Sequence, residues 1–162
     1  MATVYSAIDP TTRLEIHDLL ARFCHDLDHG DVESWDSLFT RGAIFTSDMF
    51  GTFEDPQGIR LIPELVHSLG NGLWRFHFLN TVLSPVNRRH VIAKSTLATL
   101  DCDSGLASRR VYDCVVELKL GRWWQIARVN AISVQKSISP EMAMFSPDIL
   151  APLTPYMSAQ AF

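Results

Sequence analysis

The sequence predicts an α+β fold: a cone-shaped, curved antiparallel sheet wrapped around N-terminal helices and enclosing a pocket. Three observations predict it. One clean apolar stripe of helical period opens the chain, the hydrophobic period changes to two after Leu73, and four long strand candidates then follow with short connectors between them. Helices first and long strands afterwards put the helices on one face of a sheet. Strands of ten or more residues must twist and coil, and a coiled sheet closed by a helix leaves a cavity.

The first helix is bounded by Asp9 as N-cap, Pro10 at the first helical position and Gly30 as the stop. Ile16, Leu20, Phe23 and Leu27 form its apolar stripe, while Asp18, Arg22 and His25 turn toward water. Asp31 caps a second, short helix that sends Val32, Trp35, Leu38 and Phe39 inward. Gly42 opens a short strand over Ala43, Ile44 and Phe45. Residues 56–68 predict a third helix, which Pro63 should kink or shorten. Gly70, Asn71 and Gly72 break it. The strand candidates run from Leu73 to Val86, His90 to Leu100, Ser108 to Leu120 and Trp123 to Lys136. Residues 1–138 are expected to form one domain, and residues 139–162 an apolar, proline-rich arm that packs on something.

Composition narrows the function. The 47% apolar and 20% charged residues are ordinary for a globular domain, and a net charge of −4 argues against nucleic acid as a partner. Arg88, Arg89 and His90, or Arg109 and Arg110, are each too short a run to form a basic patch. No stretch approaches the roughly 20 apolar residues that span a bilayer, so no membrane partner is expected. Cys24, Cys102 and Cys114 are odd in number and form no CxxC pair, which suits reduced thiols in the cytoplasm. No glycine-rich phosphate loop is present, and no nucleotide cofactor is expected. His25 and His29 have a zinc-compatible spacing, but no HExxH or Cys/His set accompanies them, and no metal is expected.

Two residues stand out chemically. Asp28 follows the apolar stripe on a flank shared with the small Ala21 and Cys24, where a carboxylate can face a pocket. An Asp near a helix C-terminus is electrostatically unfavourable, which asks for a reason. His77 lies among large apolar residues from Leu73 to Leu79. An imidazole buried there needs an orienting partner, and a carboxylate from a helix crossing the sheet supplies one. Such a pair makes a general base.

The order of Ile16, Leu19, Leu20, Phe23 and Asp28, then Gly30, Asp31, Trp35 and Phe39, then His77, Phe78 and Asn80, then Tyr112 and Asp113, then Gly121, Trp124, Ile126 and Arg128 resembles the nuclear transport factor 2-like superfamily, and within it the SnoaL-like branch. Relatives of that kind include polyketide cyclases, ketosteroid isomerase, limonene epoxide hydrolase, scytalone dehydratase and hexachlorocyclohexane dehydrochlorinase; others only carry cargo or serve as non-catalytic subunits. The dehydratase and dehydrochlorinase pattern is the nearest, with Asp28 and His77 at the positions of its Asp–His pair. The resemblance further implies substrate contacts at Asp113 and Arg128, and sets Thr46 and Asp101 where the dehydratase has a Tyr and a second His. It implies a cofactor-free, dehydratase-like lyase acting by proton abstraction on a small apolar, cyclic substrate. The alternatives are a polyketide cyclase or double-bond isomerase with the same base, or a non-catalytic binding or subunit module. It also implies a homodimer or homotrimer.

Overall fold

The computed structural model describes residues 8–102 and 109–134. The predicted arm, residues 139–162, lies outside them, as do the ends of two strand candidates, Ser108 and Lys136. Helix α1 (Pro10–His29) starts with the Asp9 carboxylate accepting from Thr12 N–H at 2.9 Å, and ends at Gly30, whose φ of 68° is left-handed. Helix α2 (Val32–Ser37) is capped by Asp31. Strands β1 (Phe39–Ser47) and β2 (Gly51–Phe53) form a short antiparallel pair, and α3 spans Pro56–Leu69. Strands β3 (Trp74–Asn87), β4 (His90–Asp101), β5 (Arg109–Leu120) and β6 (Trp124–Ser133) make an antiparallel meander.

The sheet order is β2-β1-β6-β5-β4-β3, with β1 parallel to β6, so the sheet is mixed and unclosed. Strand β1 begins at Phe39, earlier than Gly42 suggests, because β6 already pairs there: Phe39 lies opposite Ile126, whose N–H donates to Leu38 C=O at 2.8 Å. Gly42 falls within the irregular stretch between Phe39 and Ile44.

Helix α3 runs through Pro63 as far as Leu69, so the proline does not shorten it. Proline lacks the N–H that would bond the Ile59 carbonyl one turn earlier. That carbonyl is taken instead by the buried Trp35 indole N–H at 2.8 Å. A side chain from α2 thus replaces the missing backbone donor. The helix ends at Gly70, where a Cβ would lie 2.5 Å from the Trp74 ring, so only glycine admits that ring.

The inner face of the sheet and the helices share one core. Phe23 is its hub, with ring centroids 4.7 Å from Trp35, 6.5 Å from Phe45 and 5.3 Å from Phe78. Between core and sheet remains an apolar cavity of about 30 Å³, bounded by Phe23, Met49, Phe76 and Tyr112. Burial pushes the Tyr112 phenol up, opposed by the Arg110 guanidinium. Among the described residues no helix is long and apolar enough to cross a membrane.

Candidate active site

Strand β3 is a sheet edge, and unpaired edge N–H groups invite pairing with another chain. Helix α1 covers this edge. The Phe76 N–H donates to Asp28 Oδ1 at 2.8 Å, and the Phe78 N–H faces the Cys24 thiol. The stripe that does this is a second one on α1: His17, Ala21, Cys24 and Asp28 recur every three or four residues, beside the apolar core stripe. The flank shared by Ala21, Cys24 and Asp28 is therefore as the sequence suggested.

Between this stripe and β3 lies an open cleft of about 300 Å³, bordered by His17, His25, Asp28, His77 and Thr81 among others. Asp28 is half-buried there, and loss of water raises its carboxyl above the ordinary range; the Phe76 N–H and the charges of Arg75, His29 and His77 pull the other way. Cys24 is buried, and its thiol is pushed up to about 12, so it is an inert wall. A β-bulge between Leu79 and Val82, with Asn80 at φ 54°, closes the far end, held by Ser95 Oγ donating to Leu79 C=O at 2.8 Å and by the Thr81–Ser95 hydroxyl pair.

His77 differs from expectation. Phe76 and Phe78 take the inner positions, so strand alternation turns His77 outward and its side chain is exposed. It borders the same cleft as Asp28, and no hydrogen bond or ion pair joins the two. The interaction between them runs across the cleft.

The other predicted residues do not gather around this pair. Asp113 stands exposed on the outer face, opposite Thr96 and Ile132. Thr46 is half-buried, its hydroxyl 3.2 Å from that of Thr52. Arg128 is exposed and lies 3.7 Å from Glu117, which also meets His90 at 3.0 Å and Lys119 at 3.6 Å. Asp101 borders a separate polar pocket of about 20 Å³ with Trp74, Thr99 and Arg110. For Thr46, Asp113 and Arg128 alternation is the cause: the inward neighbours on their strands are Phe45, Ser47, Tyr112, Cys114 and Val129. Among the described residues no group of three or more metal-ligating side chains is placed to hold an ion. His25 and His29 stack with parallel rings 5.7 Å apart, and His29 Nδ1 lies 2.8 Å from the His25 carbonyl oxygen.

The SnoaL-like domain model matches residues 10–124. The chain belongs to the SnoaL-like domain family. This SnoaL-like chain is similar in structure to an NTF2-like protein with a cystatin-like fold from Novosphingobium aromaticivorans, at 19% identity over 82% of this chain and 89% of that one, with a TM-score of 0.69. It is similar to a hexachlorocyclohexane dehydrochlorinase, LinA-type3, from Novosphingobium barchaimii, at 17% identity over 77% of this chain and 88% of that one, with a TM-score of 0.63. It is also similar to a proposed scytalone dehydratase from Novosphingobium aromaticivorans, at 11% identity over 77% and 85% of the two chains, with a TM-score of 0.65. No curated protein matches it. At such identities the likeness carries the fold, and function must come from the site.

Proposed function

We propose that this SnoaL-like chain is a cofactor-independent lyase that abstracts a proton from a small, largely apolar cyclic molecule and expels a leaving group. The observation that carries this reading is the cleft itself, where a half-buried carboxylate, Asp28, and an imidazole, His77, border one space of about 300 Å³. His77 takes the proton on the carbon beside the leaving group. The C–H electrons form the double bond, and the bond to the leaving group breaks. Asp28, held by the Phe76 N–H, stabilises the imidazolium across the cleft. Kinship in fold to a dehydrochlorinase supports elimination as the outcome. Cyclisation or double-bond isomerisation would begin with the same proton transfer.

A non-catalytic binding role has one observation in its favour, the lack of a direct Asp28–His77 hydrogen bond. The two readings part in one experiment. Wild type, His77→Ala and Asp28→Asn are offered chlorinated cyclohexanes and β-hydroxy cyclic ketones, with chloride release and enone absorbance followed. Turnover in wild type that falls about 10²–10⁴-fold in His77→Ala supports the lyase. Binding without turnover in wild type, or full activity in His77→Ala, rejects it.

A further inference from the structure

Resting on the lyase reading, we infer that His25 is a second acid–base residue of the cleft, the general acid that protonates the leaving group, and that the preferred substrates lose water from a β-hydroxy carbonyl unit. Two contacts set the register of α1 against β3. Asp28 receives the Phe76 N–H, and Cys24 faces the Phe78 N–H. Four helical residues rise about 6 Å and two strand residues about 6.6 Å, so the elements run antiparallel and in step. The level of His77, midway between Phe76 and Phe78, therefore falls on α1 between Asp28 and Cys24. His25 lies there, and it borders the same cleft.

His17 also borders the cleft, but it lies eight residues earlier, about 12 Å along the axis, at the level of the bulge. That is too far to serve a bond adjacent to the carbon that His77 deprotonates. Stacking on His29 holds the plane of the His25 ring, and neither of its ring nitrogens has a hydrogen-bond partner among the described residues. His25 is exposed at the cleft wall, free to donate.

The chemistry gives this second imidazole its task. Chloride leaves as an anion and needs no proton. Hydroxide is a poor leaving group and must leave as water. In the step His77 gains the carbon-bound proton, the C–H pair becomes the double bond, the C–O bond breaks, and the departing oxygen takes a proton from His25. One molecule of water and one enone result. Because the cleft is open, solvent returns the proton from His77 and reloads His25.

A matched pair of probes isolates the role: 3-hydroxycyclohexanone and 3-chlorocyclohexanone, which give the same enone. His25→Ala should lower the dehydration rate about 10²–10⁴-fold while leaving loss of HCl within about threefold of wild type. His77→Ala should lower both. Equal losses on the two ketones in His25→Ala, or no loss on either, overturn the acid role of His25 while leaving the lyase intact. Wild type that converts chlorinated cyclohexanes but neither ketone overturns the assignment of His25 alone; wild type that converts none of them overturns the lyase reading, and the assignment of His25 with it.

Discussion

Asp26 and Asp28 sit two residues apart on α1 and meet different surroundings. Asp28 reaches the cleft and an edge N–H. Asp26 is 6% exposed, and its Oδ2 has no hydrogen-bond partner. Burial raises its carboxyl above the ordinary 3.8, with the Ser34 hydroxyl lowering it and Asp31 raising it further. A raised carboxylate stabilises the fold least when charged. Between 3.8 and its folded value the native state still holds a proton that the unfolded chain has released, so stability falls as pH rises through that window. The stability of Asp26→Asn relative to wild type should therefore rise as pH is taken from below 3.8 to neutrality. Urea midpoints at several pH values test this, and a pH-independent difference would remove burial as the cause. The burial of Asp26 carries no sign in the sequence, whereas the small neighbours Ala21 and Cys24 mark the Asp28 side as a pocket wall.

The joint between α2 and α3 depends on one indole. Pro63 leaves the Ile59 carbonyl without its helical donor, and Trp35 supplies one at 2.8 Å. Trp35→Phe should cost about 1–3 kcal/mol beyond lost packing, since it strands a buried carbonyl. Pro63→Ala restores a backbone N–H for the same oxygen. In that background the cost of Trp35→Phe should shrink by about 1 kcal/mol, a coupling a double-mutant cycle measures directly. Strict additivity would show that the indole bond does not compensate for the proline. The element boundaries were mostly legible because caps and period are local: Asp9, Gly30, Asp31 and Gly70 all act as read. That Pro63 leaves α3 at full length was not legible, because the compensation comes from residue 35, a long-range contact that no local rule contains.

At the scale of the molecule, what the sequence could not convey was which way each strand faces. Register shifts at Phe39/Ile44, Leu79/Val82, Pro85/Asn87 and Glu117/Leu118 each reset the phase, and the run from Leu73 to Leu79 is, apart from Arg75, apolar on both sides of His77. Hence the fold was readable, while Thr46, Asp113 and Arg128 proved to be outer-face residues. That outer face also carries Leu79, Val82, Ile132 and Val134, each more than 40% exposed. Such a surface is expected to be covered by a second or third copy of the chain. Sedimentation should report a dimer or trimer that Ile132→Glu weakens; a wild-type monomer at the highest workable concentration would count against it. At the edge of the sheet, the carboxylate proposed for chemistry also takes up an N–H of β3. Because the Phe76 amide hydrogen points straight at Asp28, its nuclear magnetic resonance is a built-in gauge of that carboxylate's charge. The state of the cleft can thus be followed in solution through one backbone signal, before any substrate has been identified.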